Sequence, residues 1–293
     1  MNIFNKKNLI LDGAMGTVLQ KCSIDIEDFC GTNNCFEVLN LTNENIIKNI
    51  HRKYIESGAD IIETNTFNCN KFTLEGSLLE KKIYEICKKG GEIAREIVQE
   101  YDKKIFIAGS IGPTGISVSQ DKTRYMELEE SYREQISGLL DGGIDFLLIE
   151  TVYDFLNLEI AIKVCKEIFK EKREETPIVV SFTCDNEGRI YSGEKIEDII
   201  KRIDYNLILG YGLNCVGFNK TVEKLRKFTD KIVFFYPNQS FFNEEKIDAK
   251  QYFNFLIKNN LVDVIGGCCG TDFNYIKELN CILKTYNCNK IVK

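Results

Sequence analysis

The residues best suited to catalysis or metal binding in this chain of 293 residues are its twelve cysteines. Two of them, Cys268 and Cys269, are adjacent and stand between glycines in the stretch VIGGCCGTD. Adjacent cysteines rarely bridge each other, because disulfide geometry requires Cα atoms that lie further apart. The flanking glycines indicate a sharp turn or a close approach of backbone. We therefore interpret this stretch as one that presents two sulfurs to a ligand.

Catalysis by histidine would have to use one residue, because His51 is the only histidine in the sequence. It lies in a helical pattern far from the end of any expected strand, so we interpret it as a surface or packing residue. A serine or cysteine hydrolase that uses histidine as its base is therefore disfavoured.

Composition excludes further classes. The net charge is −6, and no basic cluster carries interleaved aromatic residues, so nucleic acid is not expected as a partner. The first residues lack the apolar core of a secretory signal, and no run approaches the ~20 apolar residues of a membrane span. We therefore expect a cytoplasmic protein, with no membrane partner, whose cysteines are reduced thiols available for metal binding or catalysis.

Eight short β-rich runs alternate with stretches of helical spacing. The runs cover residues 9–11, 60–63, 105–108, 146–149, 178–182, 207–213, 232–236 and 262–265. The helical stretches cover residues 43–58, 80–100, 128–140, 156–169, 196–203, 221–228, 249–259 and 275–284. This alternation predicts a parallel sheet with helices outside it, and eight units favour one (β/α)₈ TIM barrel over residues 1–293. A doubly wound open sheet is the alternative, but no early G-x-G-x-x-G supports its dinucleotide-binding form.

Polar residues and glycines collect after the predicted strands, where a barrel of this type has its C-terminal mouth. Cys215 follows the sixth strand, and Cys268 and Cys269 follow the eighth, so the three sulfurs are expected to converge there. Three thiolates with a free fourth position are typical of a catalytic zinc site; the alternative is three unrelated buried cysteines. A metal held in this way is suited to keeping a further thiol ionised, and that thiolate could attack a methyl group.

Six runs together resemble a known family. In order, they are LDGAMGT, ESGADIIETNTF, GSIGPTG, GGIDFLLIETVYD, GLNC and GGCCGT. They are similar in order and spacing to the homocysteine S-methyltransferase family, from about residue 9 to about residue 284. Within that family the chain most resembles the homocysteine-binding domain of cobalamin-dependent methionine synthase.

The resemblance implies a zinc-dependent methyltransferase of methionine biosynthesis that acts on homocysteine. It implies that Cys215, Cys268 and Cys269 bind the zinc, which in turn binds the homocysteine sulfur, and that Asp12 and Glu150 bind the amino group. Gly13 and the GSIGPTG loop, with Ser110, are expected to bind the substrate carboxylate through backbone amides. Glu63 is a third candidate for the amino group, but we expect its side chain to point away from the pocket.

The methyl donor is not settled by the resemblance. Relatives commonly have Pro-Asn-Ala-Gly where this chain has Pro237-Asn238-Gln239-Ser240, and they have a Gly-Pro turn where it has Val216-Gly217-Phe218. The chain also lacks a cobalamin-type D-x-H-x-x-G motif. It could therefore act with a separate methyl-corrinoid protein, be one domain of a longer enzyme, or use S-methylmethionine or S-adenosylmethionine.

We favour methylcobalamin on a separate corrinoid protein or domain, because GGCCGT is the methionine synthase form of the motif. A zinc- or thiol-binding barrel without turnover is the alternative from another class. Phe218, Phe241 and Phe242 are expected near the rim of the mouth. There they would contact a protein partner or surround a cationic donor, and the alternative is that they are packed core.

Overall fold

Eight parallel strands form a ring in the computed structural model, which describes residues 8–32, 35–203, 206–216, 221–244 and 246–291. The strands are β1 (Leu9–Ile10), β2 (Ile61–Glu63), β3 (Phe106–Ile111), β4 (Phe146–Val152), β5 (Ile178–Phe182), β6 (Ile208–Asn214), β7 (Ile232–Tyr236) and β8 (Val264–Ile265). They are hydrogen-bonded in the order β1-β8-β7-β6-β5-β4-β3-β2, and a parallel bridge between Leu11 and Ile61 joins the two ends. The predicted (β/α)₈ barrel is confirmed.

Helices cover the outside of the ring and also occupy the longer connections. They are α1 (Met15–Leu19), α2 (Leu39–Thr42), α3 (Glu44–Ser57), α4 (Lys71–Leu74), α5 (Ile83–Val98), α6 (Tyr125–Asp141), α7 (Phe155–Lys172), α8 (Ile196–Ile203), α9 (Thr221–Phe228), α10 (Ser240–Glu244), α11 (Ala249–Lys258) and α12 (Phe273–Ile291). The eight predicted helical stretches correspond to α3, α5, α6, α7, α8, α9, α11 and α12. Within the described ranges, none of the helices has the length and apolarity needed to cross a bilayer.

The inside of the barrel explains where the polar residues of the mouth stand. Successive side chains of a strand point to opposite faces of the sheet, and one set of alternate residues fills the interior with apolar side chains. In several strands the next inward position, two residues further on, is polar. The pairs are Ile61 and Glu63, Ala108 and Ser110, Leu148 and Glu150, Val179 and Ser181, and Phe234 and Tyr236. An apolar interior therefore ends in a polar layer at the carboxyl ends of the strands.

Helix α3 illustrates how the outer layer forms. Ile47, Ile50 and Tyr54 share its buried face, and Gly58 ends the helix with φ +116°, a conformation that favours glycine. His51 lies on the same buried face, with no solvent exposure, so of the two predicted locations it occupies the packed one.

Of the alternatives for the aromatic residues after β7, the structure favours packed core for the two that it describes. Phe241 and Phe242 are 3% and 8% exposed. Helix α10 turns both rings back into an aromatic cluster over α11, where the ring of Phe242 lies 5.7 Å from that of Phe253. The packed-core alternative is therefore the one observed. Phe218 lies outside the described residues.

Candidate metal and substrate site

The structure brings the three predicted cysteine sulfurs together at the mouth of the barrel. The Sγ atom of Cys269 lies 3.3 Å from that of Cys215 and 3.9 Å from that of Cys268. All three Sγ atoms lie within 4.8 Å of one another. Strands β6 and β8 both neighbour β7, so residues 53 and 54 positions apart in sequence meet at one edge of the ring.

Backbone constraints fix the two loops that carry the sulfurs. Cys215 has φ +49°, which is unusual for a residue with a side chain. After β8, the Thr271 hydroxyl donates to the carbonyl of Cys268 at 2.7 Å. A Cβ atom on Gly267 would lie 2.4 Å from the hydroxyl oxygen of Thr271, so only glycine fits beside this hydrogen bond. The glycines around the paired cysteines thus allow a tight turn over the barrel.

The donor set fits a zinc ion. Tetrahedral zinc with Zn–S bonds of about 2.3 Å places its sulfurs about 3.8 Å apart, which is close to the observed separations. Within the described residues the group comprises three cysteines and no fourth ligating side chain, so one position is left for a substrate atom. Cys269 is exposed, whereas Cys215 and Cys268 are partly buried, so the cluster faces the opening.

Electrostatics also favour a cation at the sulfurs. Hydrogen bonds from Cys215 and Cys268 lower the pKa of the Cys269 thiol to about 3. The pKa of Cys268 is raised well above its usual value by its hydrogen bonds with the other two sulfurs and by burial. The cluster therefore readily holds one negative charge, and ionising all three sulfurs requires a soft cation such as zinc.

Three carboxyl groups lie across the mouth from the sulfurs: Asp12, Glu63 and Glu150. The Ser110 hydroxyl donates to Oε1 of Glu150 at 2.6 Å, and the amide of Glu63 donates to Oδ2 of Asp12 at 3.1 Å. Oδ1 of Asp12 and Oε1 of Glu63 have no hydrogen-bond partner within the described residues. The cluster therefore presents unused acceptor atoms to a ligand.

The predicted orientation of Glu63 is wrong. Its side chain lines the same cavity as those of Asp12 and Glu150. The reason is the two-residue period of the strand: Ile61 packs inside the barrel, so Glu63 also points inward.

Burial makes this acidic cluster costly to ionise when it is empty. Burial raises the pKa of Asp12 and of Glu63 well above the usual range, and the nearby charge of Glu150 adds to both effects. The pKa of Glu150 is raised to about 7 by burial, while the hydrogen bond from Ser110 and the nearby Tyr236 hydroxyl oppose the increase. No lysine, arginine or histidine occurs among the described residues that line the cavity. A cationic group of a ligand is therefore the natural counter-ion.

Both clusters open into one cavity of about 620 Å³, which Gly13 also lines. A Cβ atom at Gly13 would lie 2.9 Å from the Thr271 hydroxyl oxygen, so a bare backbone is required there. Ser110 belongs to β3 rather than to a loop, and its amide donates to the Thr64 hydroxyl at 3.0 Å. The amide and the hydroxyl of Ser110 are therefore both engaged with the protein, and the hydroxyl holds Glu150.

A family model described as homocysteine S-methyltransferase matches residues 9–283. The chain belongs to this family. It is 31% identical to the methionine synthase of Mycobacterium leprae over an alignment of 289 positions, which covers 92% of this chain and 24% of that protein. It is 30% identical to the methionine synthase of Mycobacterium tuberculosis over an alignment of 298 positions including gaps, which covers 95% of this chain and 25% of that one. The chain thus spans about a quarter of these relatives.

Among solved structures, the metallated form of the homocysteine methyltransferase MmuM from Escherichia coli has the same fold. The TM-score is 0.76 at 24% identity, and the match covers 94% of this chain and 96% of that one. The putative vitamin-B12-independent methionine synthase of Listeria monocytogenes matches less well, with a TM-score of 0.50 at 14% identity over 96% of both chains. The resemblance and the fold given by the motifs are therefore confirmed.

One side chain that lines this cavity was not singled out by the sequence. Tyr236 is fully buried at the end of β7, and its hydroxyl has no hydrogen-bond partner at ordinary distance within the described residues. It lies near enough to Glu150 to lower the pKa of that carboxyl. In sequence Tyr236 is the last residue of an apolar strand, and only the inward position of Phe234 two residues earlier could have indicated its place.

Proposed function

We propose that this chain transfers a methyl group to the sulfur of homocysteine, forming methionine, with zinc held by Cys215, Cys268 and Cys269. One observation carries the proposal: a cluster of three sulfurs and a cluster of three carboxyl groups line the same cavity, which has no basic side chain among its described residues. Homocysteine carries a thiol at one end and an ammonium at the other, so it matches both clusters.

The acidic cluster is proposed to bind the ammonium group. Glu150 is held by Ser110 through one oxygen, and this hydrogen bond favours its charged form, in which it would pair with a cation. Asp12 accepts from the amide of Glu63, which favours its charged form. Charge-assisted hydrogen bonds of this kind contribute about 1.5–3 kcal/mol each.

The sulfur cluster is proposed to orient the substrate thiol. When bound, the zinc keeps that thiol ionised at neutral pH, which is its nucleophilic form. The thiol proton leaves to solvent, the sulfur then forms a bond to the methyl carbon, and the bond between that carbon and the donor breaks. Cys269 is the most exposed of the three cysteines, so the donor approaches from the open side of the cluster.

We favour methylcobalamin carried by a separate protein or domain as the methyl donor. The four most exposed large apolar side chains of the described residues all lie on connections or first helical turns after strands, on the side of the mouth. They are Ile26, Leu78, Met126 and Tyr191. Apolar side chains on one exposed face are typical of a protein contact, and the methionine synthase relatives are about four times as long as this chain.

A panel of donors tests the proposal. Zinc-loaded protein is incubated with homocysteine and with methylcobalamin, S-methylmethionine or S-adenosylmethionine, and methionine is measured by mass spectrometry. Methionine from any donor, abolished in Cys268→Ala, supports the proposed reaction. Tight zinc and homocysteine binding with no methionine from any of them would favour a binding protein instead.

A further inference from the structure

Asn214, the last residue of β6, connects the two halves of the site. It is completely buried. It lies between Cys268 and Thr151, the residue that follows Glu150. Its Oδ1 atom accepts from the amide of Thr151 at 3.0 Å and from the Ser181 hydroxyl at 2.7 Å. Its Nδ2 atom lies 2.7 Å from the Thr151 hydroxyl and 3.8 Å from the sulfur of Cys268.

The orientation of this amide is fixed by its partners. The backbone N–H of Thr151 can only donate, so the oxygen of Asn214 must face it. The nitrogen then necessarily faces Cys268, where it donates to sulfur. One side chain thus holds the turn after Glu150 and contacts a proposed metal ligand.

The turn held by Asn214 is unusual. Thr151 has φ +55°, a left-handed conformation that is rare for a β-branched residue, and the register of β4 against β5 shifts between Ile149 and Val152. Such a conformation persists when surrounding contacts determine it, and Asn214 supplies two of them. Asn214 thus holds the residue that directly follows Glu150.

The contact with sulfur has a different consequence. A hydrogen bond to a thiolate stabilises its charge and fixes the position of the sulfur, and such supports of metal ligands typically contribute 10- to 100-fold to metal affinity.

We propose that Asn214 is a positioning residue with two separable effects, one on metal affinity through Cys268 and one on homocysteine affinity through Thr151 and Glu150. This role rests on the proposed function.

Two substitutions separate these effects. Asn214→Asp keeps an oxygen for the Thr151 amide and can accept from the Thr151 hydroxyl, but it loses the N–H donor to sulfur and adds a negative charge. Thr151→Val keeps the shape and the amide of residue 151 but loses the hydroxyl. We expect Asn214→Asp to weaken zinc binding about 10- to 100-fold. Thr151→Val should leave zinc binding within about twofold and weaken homocysteine about three- to tenfold.

Zinc affinity is measured by competition with a chromophoric chelator in the absence of homocysteine, and homocysteine affinity by calorimetry on zinc-loaded protein. Asn157→Asp is the matched control, because Asn157 is a buried asparagine that lies outside the cavity. Thermal melting checks the fold, and Asn214→Ser, which also removes the donor to sulfur, replaces Asn214→Asp if that variant does not fold.

The role is supported if zinc affinity falls in the Asn214 variant and is unchanged in the control. Thr151→Val should instead lower homocysteine affinity and leave zinc affinity unchanged. Equal zinc affinity in the wild type and the Asn214 variant would overturn it, as would an equal loss in Asn157→Asp. Wild-type protein that binds no zinc would overturn the proposed function, and this role with it.

Discussion

The hydroxyl of Ser110 donates a hydrogen bond of 2.6 Å to Oε1 of Glu150, at adjacent strands of the barrel. This contact fixes one carboxylate oxygen and leaves the second for other partners. It also lowers the pKa of Glu150 relative to what burial alone would give. Ser110 therefore favours the charged form of Glu150 inside a buried cavity.

Removing the charge of Glu150 or Asp12 tests their role in binding the ammonium group. We expect Glu150→Gln and Asp12→Asn each to weaken homocysteine about 10- to 100-fold, since each loses a charge-assisted bond of about 1.5–3 kcal/mol. Binding of a simple alkane thiol, which has no amino group, should change little. Calorimetry on zinc-loaded protein measures both, and equal losses for the two thiols would show that these carboxyls support the fold or the metal instead.

Glu63 provides a graded comparison within the same cluster. Burial and the charges of Glu150 and Asp12 keep its pKa high, and no donor reaches its Oε1 atom within the described residues. The ionised form of Glu63 is thus disfavoured, and we expect Glu63→Gln to disturb the cluster less than Glu150→Gln does. We expect a loss of homocysteine affinity of less than about threefold. A loss as large as that in Glu150→Gln would show that Glu63 is ionised in the complex.

The barrel was predictable because its strands and helices carry clear periodicities, and the sulfurs because the ends of parallel strands meet at one mouth. The direction of Glu63 was not predictable, because a strand of three residues is too short to show which of its alternating positions face the inside of the barrel. Tyr236 was missed because an aromatic residue ending an apolar strand has the same appearance whether its hydroxyl enters a site or not. The burial of Phe241 and Phe242 depends on contacts with α11 that local sequence does not show.

The three cysteines are expected to act as one zinc site. Replacing Cys215, Cys268 or Cys269 by alanine should abolish tight zinc binding and activity while the thermal melting temperature of the metal-free protein changes little, because these side chains lie at the mouth rather than in the helix–sheet core. Cys165→Ala, at a buried cysteine of α7, is the control that should keep zinc. Metal analysis of the purified variants checks this, and tight zinc retained in Cys268→Ala would contradict the assignment.

His51 should make stability fall at mildly acidic pH. Its ring nitrogens have no hydrogen-bond partner within the described residues, and burial lowers its pKa to about 4. The unfolded chain binds a proton at His51 near pH 6.5, whereas the folded chain does not. The free energy of unfolding is therefore unaffected by His51 above pH 6.5 and decreases as pH falls towards 4. The loss amounts to about 3 kcal/mol.

Urea unfolding of wild type and His51→Leu at several pH values measures this effect, because the other titrating groups are common to both proteins. The difference in unfolding free energy should shift in favour of His51→Leu as pH falls from 6.5 to 4. The chain has only one histidine, so its imidazole proton resonances also report the folded-state pKa directly. A folded-state pKa at or above 6.5 would rule the effect out.

The methyl donor is expected to be methylcobalamin, free or protein-bound, used faster than S-methylmethionine at equal concentration. Exposed apolar side chains beside the mouth are suited to a protein that carries the donor. Ile26 and Leu78 are 81% and 85% exposed, and the amide of Leu78 donates to the carbonyl of Cys30, which places the two connections that carry them side by side. The double substitution Ile26→Ser and Leu78→Ser should lower kcat/KM about tenfold or more for a methyl-corrinoid protein, since it removes apolar contact area. It should leave the rate with free methylcobalamin unchanged.

Phe255→Ser, at an exposed apolar residue of α11, is the control that should affect neither rate. Equal effects of the double substitution on free and protein-bound donor would argue against docking at this face. Ready turnover of S-methylmethionine with none of methylcobalamin would overturn the choice of donor, while the role of the sulfur cluster would stand.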